Sequence, residues 1–188
     1  MACFFKRIYK FILFCVVLST PGALLAQGQH NHQLFVGVDH GAFPVSDMKT
    51  IGMNWGYTYA ISKNLGATLR FVQHQSYVSN SVAQTASLAV EGSVQVYLIH
   101  FNRLSLGIEG GGAFRDAVDT YVTRYLYVDG ENLRVVKQQR KKSPGFQVYL
   151  LAPVRINKRF SLITRAGYGY FTELTDVFDL ATGLQVKL

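Results

Sequence analysis

The sequence predicts an all-β protein: an eight-stranded antiparallel up-and-down transmembrane β-barrel following a cleaved signal peptide. Three observations predict it. Large apolar residues alternate with small or polar ones at a period of two along eight segments. The charged residues inside those segments keep to one parity. The connections alternate between tight turns and longer loops, as in barrels that cross an outer membrane.

Residues 1–26 read as the signal peptide, and residues 27–188 as the barrel domain. A basic start (Lys6, Arg7, Lys10) precedes an apolar run of eight residues, Phe11 to Leu18, then Pro21-Gly22 and the small residue Ala26. The run is far shorter than the roughly 20 residues of a membrane-spanning helix. Cys15 follows Phe14, where a lipid-attachment motif needs a small residue. Cys3 and Cys15 both fall in the leader, so the exported chain is expected to have no thiol or disulfide. Loss of the three leader bases lowers the net charge from +8 to +5, which calls for no nucleic-acid partner.

The eight strand candidates follow in order. They are Leu34 to Phe43, the run "TIGMNWGYTYAIS" from Thr50, Leu65 to His74, "SLAVEGSVQVYL" from Ser87, Leu104 to Phe114, Phe146 to Ile156, Phe160 to Phe171 and Val177 to Leu188. In the second, Ile51, Met53, Trp55, Tyr57 and Tyr59 share one parity while Gly52, Asn54, Gly56 and Thr58 share the other. Each candidate has about the ten residues that a tilted strand needs to cross a bilayer. Tight turns are expected at Asn64, Asn102 and Asn157, since asparagine tolerates the left-handed backbone of a short hairpin. Longer connections are expected around 44–50, 75–86, 116–144 and 172–176.

Asp39, Arg70, Glu91, Glu109, Arg115, Arg155, Arg165, Asp179 and Lys187 all fall on the small-polar parity. A charge facing lipid near the midplane costs roughly 2–4 kcal/mol. The charged set is therefore expected to line the lumen as a polar network, with Glu109 paired to an inward arginine such as Arg70 or Arg165. A soluble lipocalin-type barrel would reverse the two faces. Glycine, alanine and serine among the charges suit a narrow lumen better than a wet surface.

The leader ending "ALLAQ", the hairpin "NKRFSLITRAGYGYF" and the final "DLATGLQVKL" resemble the small eight-stranded outer-membrane barrels of the OmpA-transmembrane-domain and OmpX-like group, especially the outer-membrane beta-barrel type common in Bacteroidetes. The resemblance covers residues 27–188. It implies a monomer in the bacterial outer membrane, with outer-membrane lipid and lipopolysaccharide as surroundings and the barrel-insertion machinery as assembly partner. Such proteins usually end in an aromatic residue, whereas this chain ends in Leu188.

Four patterns bear on chemistry. Glu109 followed by Gly110-Gly111-Gly112 matches neither a P-loop nor a dinucleotide fingerprint, and the glycines read as strand curvature or close packing. His74 and Ser76 have the His-x-Ser spacing of outer-membrane lipid A deacylases, but Tyr77 stands where that family has asparagine, and both side chains share the lumen parity. His30 and His32 form an "HNH" near the new N-terminus, which reads as incidental; no metal or cofactor is expected. Finally, alternation continues through Tyr121, Thr123, Tyr125 and Tyr127, turns at Asp129 to Asn132 and returns through Leu133 and Val135, which predicts a protruding hairpin over 116–144.

Arg134, Lys137, Arg140, Lys141 and Lys142 lie on the return arm, facing lipopolysaccharide phosphates or an acidic partner. The same charges also keep an exposed edge from aggregating. The function expected is non-enzymatic: envelope structure or surface binding through this basic hairpin. The alternatives are a lipid A deacylase-like esterase using His74 and Ser76, and a small barrel that binds or passes hydrophobic compounds.

Overall fold

A computed structural model describes residues 32–43, 48–76, 83–128, 131–174 and 176–188. The leader with its cysteines, and His30, lie outside the described residues. Eight strands form one closed barrel in chain order: β1 (His32–Phe43), β2 (Met48–Ala60), β3 (Leu65–Ser76), β4 (Ala83–Phe101), β5 (Leu104–Val128), β6 (Glu131–Arg155), β7 (Phe160–Phe171) and β8 (Val177–Lys187). Every neighbouring pair is antiparallel. Closure comes from β1 against β8, in register from Gln33 opposite Lys187 to Ala42 opposite Phe178.

The period of two dictates which side chains enter the barrel. Along β3 the even residues from Gly66 to Ser76 are buried, and along β8 Val177, Asp179, Ala181 and Gln185 are. The opposite parity is exposed and apolar, including Val36, Met53, Val94, Leu150, Leu162 and Phe178. Aromatic residues mark the two ends of this outer belt. Phe114, Phe146, Tyr170 and Phe178 lie toward the long loops, and Tyr59, Phe101 and Phe160 toward the short turns. On β5, ten residues separate the Leu104 end from Phe114; at 3.4 Å per residue and a 35–45° tilt they span about 25 Å of height, the thickness of an outer-membrane apolar band.

The short turns are built by side chains as well as by backbone. Ser62 Oγ accepts from the amides of Asn64 and Leu65, and Asn157 Oδ1 accepts from those of Arg159 and Phe160 at 2.8 Å each. At the other end, β4 begins at Ala83, inside the stretch expected to be a loop, and pairs with β5 as far as Tyr121. Glu131 and Asn132, expected in the hairpin turn, instead open β6 opposite Val128 and Tyr127. β5 and β6 are 25 residues long, yet β7 covers β6 only from Gly145 to Arg155. The hairpin thus stands above the barrel body with the β6 edge open.

The glycine run has a mixed explanation. A Cβ on Gly111 would lie 2.0 Å from the Gly92 carbonyl oxygen and 2.5 Å from Ser93 Cα, so only glycine lets β4 and β5 approach there. Gly112 and Gly92 have nothing near the position a Cβ would take, and Gly110 has only a carbonyl oxygen at 3.7 Å. Close packing therefore accounts for one of the three glycines.

Candidate functional site: the lumen network and the protruding hairpin

The lumen is filled by charged and aromatic side chains in successive layers. Arg70 on β3 pairs with Glu91 on β4 through Nε and Nη2, directly across the strand pair. Glu109 accepts from Ser93 Oγ at 2.6 Å, Gln95 Nε2 at 3.1 Å and Arg165 Nε at 3.2 Å. All of these side chains are buried. A buried carboxylate with three donors is a satisfied structural ion, and the apposition of opposite charges keeps the interior near neutrality.

Each buried lumen arginine also lies over an aromatic ring. Arg70 is 4.3 Å from the Tyr149 centroid, Arg165 4.1 Å from Phe35 and Arg115 5.3 Å from Phe171. Large side chains share the inward parity with the charges, glycine, alanine and serine expected there. Phe35, Val72, Tyr149, Leu151, Ile163, Phe171 and Val177 are buried there as well. The signal in the sequence is a set of large residues out of phase with their neighbours. Planar guanidinium groups need flat, apolar surroundings once they leave water.

Of the expected lumen residues, Asp39, Arg70, Glu91, Glu109, Arg165 and Asp179 are buried. Arg155 is not. It is exposed at the short-turn end, donating through Nη2 to the Asn102 carbonyl at 3.2 Å, because the last residue of β6, still paired with Ser161, sits at the rim of the barrel. Lys187, also at a strand end, is half-buried.

His74 and Ser76 do face the lumen, but they do not act on each other. Ser76 Oγ accepts from the Thr85 amide at 2.6 Å. His74 Nε2 instead lies 3.4 Å from Asp39 Oδ1 and 3.6 Å from Asp179 Oδ1. A nucleophilic hydroxyl needs the imidazole within hydrogen-bonding reach. Sequence reasoning misses this convergence of β1, β3 and β8; the available signal is that all three residues share the inward parity near the long-loop end. His32 Nδ1 hydrogen-bonds the Tyr57 hydroxyl and its ring lies 5.3 Å from that of Tyr59, which accounts for the second histidine of the "HNH".

The basic residues of β6 divide between two faces. Lys137 and Lys141 continue the inward parity of Ser143 and Gln147, whereas Arg140 and Lys142 continue the outward parity of Phe146; Arg134 lies outside the residues whose side chains are described. This replaces a single basic cluster with a two-sided one. Arg140 Nε donates to Asp116 Oδ1 at 2.8 Å, and that hydrogen bond holds the Asp116 carboxyl below the ordinary carboxylate range.

No family model matches the chain, and no curated protein matches it in sequence. Solved structures do match in shape. Neisserial surface protein A is 12% identical with a TM-score of 0.64, the match covering 84% of this chain and 97% of that one. The fold is that of the small outer-membrane barrels. Ail, the attachment invasion locus protein of Yersinia pestis, matches at 11% identity and a TM-score of 0.57, over 84% of this chain and 97% of its own. A major outer membrane protein of Thermus thermophilus matches at 10% identity and a TM-score of 0.58, over 84% of this chain and 99% of its own. Ail has also been solved in complex with the heparin analogue sucrose octasulfate.

Proposed function

We propose that the protein is an integral barrel of the bacterial outer membrane, carrying no catalytic site of the esterase type, whose protruding β5–β6 hairpin binds the phosphate groups of lipopolysaccharide. The observation that carries this reading is the hairpin itself, rising past the end of β7 with Arg140 and Lys142 on the outward face immediately beyond Phe146 and Phe114. Aromatic rings sit at the headgroup level of a membrane, so cations one step further out meet the phosphates. Lys137 and Lys141, on the other face, are turned toward the space above the lumen.

Three things support the membrane assignment: an outer belt that is predominantly apolar, an interior filled with paired charges, and the shared fold. The complex of Ail with a polysulfated ligand supports the idea that a barrel of this shape can present a polyanion site. Among the described residues Ser76 accepts from the Thr85 amide and has no base beside it, which speaks against the esterase alternative. The filling of the interior by side chains among the described residues likewise speaks against the transport alternative.

Replacing Lys137, Arg140, Lys141 and Lys142 with glutamine should weaken lipopolysaccharide binding by about 10- to 100-fold, given about 1 kcal/mol for each basic residue at an anionic surface and partial screening. The refolded protein would be titrated with lipopolysaccharide at physiological salt. Unchanged affinity, in a variant that still shows the heat-dependent gel shift of a folded barrel, would remove the hairpin from the proposal.

A further inference from the structure

Four buried polar atoms converge at the long-loop end of the lumen without a hydrogen-bond partner: Asp39 Oδ1 on β1, Thr50 Oγ1 on β2, His74 Nε2 on β3 and Asp179 Oδ1 on β8. None of these residues is more than 8% exposed. Leaving such atoms without hydrogen bonds in a low-dielectric interior is costly, and two carboxylates sharing one imidazole repel each other. We propose that Asp39, His74 and Asp179, with Thr50 as a weaker fourth donor, bind a first-row divalent cation of the zinc class.

The geometry suits that ion. The ligand-capable atoms of Asp39, His74 and Asp179 all lie within 4.8 Å of one another, with His74 Nε2 3.4 Å and 3.6 Å from the two carboxylate oxygens. Those separations are long for hydrogen bonds. They match the edge of a tetrahedron around zinc, where bonds of 2.0–2.1 Å put neighbouring ligand atoms about 3.4 Å apart. Thr50 borders the same space: the position a Cβ would take on Gly41 lies 2.4 Å from Thr50 Oγ1 and 3.1 Å from Asp179 Oδ1, which places the hydroxyl beside that carboxylate oxygen.

The surrounding contacts orient the ligands. Asp39 Oδ2 accepts from Asn54 Nδ2 and Asp179 Oδ2 from the Tyr149 hydroxyl, both at 3.2 Å, which fixes each carboxylate with Oδ1 turned to the common point. A small cavity beside His74 and Asp179 is lined in addition by Glu91, which pairs with Arg70, and by Arg115, which donates to Ser87 Oγ. One imidazole and two carboxylates without thiolate suit zinc and its first-row neighbours; calcium would need six to eight oxygens. The ion would join β1 to β8 across the closing seam and tie both to β3. Its role is to lock the barrel.

The test uses the tag-free full chain, refolded, stripped with a chelator and dialysed against zinc. One tightly held zinc per chain and a higher midpoint for the heat-dependent gel shift are expected. Cobalt in place of zinc should give the intense visible bands of a tetrahedral site. His74→Gln should abolish retention, Tyr149→Phe should weaken it by about 10- to 100-fold through the Asp179 carboxylate, and His32→Ala should leave it unchanged. The proposal is overturned if the wild-type chain retains no zinc after dialysis, if cobalt shows only the weak bands of an octahedral aquo ion, or if His32→Ala rather than His74→Gln abolishes binding. Should His74→Gln not fold, the wild-type stoichiometry and the cobalt spectrum decide the matter.

Discussion

Replacing Glu109 with alanine will destabilise the barrel by about 3–5 kcal/mol, the cost of leaving a buried cation without its counter-ion. Glu109 is 1% exposed and accepts from Ser93, Gln95 and Arg165, so the substitution strands three donors at once. Arg165, itself 1% exposed and lying over Phe35, cannot turn to water without leaving the lumen. The double replacement Glu109→Leu with Arg165→Leu should recover part of the loss, because apolar groups of similar volume replace the ion pair while Ser93 and Gln95 still lack their acceptor. Urea unfolding in detergent micelles or bilayers measures both. A cost below about 1 kcal/mol for the single variant would mean that water reaches the network, against the filled lumen described here.

The second large effect is on the outer face. Leu150 lies on the outward parity of β6, midway between Phe146 and Val154, and is 66% exposed. Leu150→Arg should cost about 2–4 kcal/mol in a bilayer, and Phe146→Arg, at the rim of the belt, about 0–1 kcal/mol. In a soluble barrel the order would not appear, since an arginine replacing an exposed leucine meets only water. Equilibrium unfolding in lipid vesicles separates the two cases. Equal, near-zero costs at both positions would contradict the lipid-facing assignment.

Much of this architecture is legible in the sequence because one physical rule, alternation across a two-faced strand, acts on every residue of the wall. Ile51 to Tyr59 and Phe178 to Leu188 declare their faces without help from the rest of the chain. The long hairpin is legible for the same reason, as the alternation runs on past Phe114. What is not legible depends on distance between strands. Nothing in β1 alone says that Asp39 meets His74 of β3 and Asp179 of β8, because register and barrel closure bring them together. Arg155 keeps its parity but not its burial, since alternation says nothing about which strand residues sit at the rim. Phe35 and Tyr149 look like irregularities in the pattern. They are the flat surfaces on which buried guanidinium groups rest.

The defining feature of the barrel is that odd and even residues of each strand face different surroundings, lipid outside and a side-chain-filled polar interior within. It is tested most directly by spin labels on single cysteines from Phe146 to Leu151 of β6, in a chain whose Cys3 and Cys15 are replaced by serine, reconstituted in vesicles. Collision with dissolved oxygen should be high at Phe146, Val148 and Leu150 and low at Gln147, Tyr149 and Leu151, with a water-soluble nickel chelate excluded from the first three. High access of the chelate to Phe146, Val148 and Leu150, or an oxygen profile without the two-residue period, would contradict it.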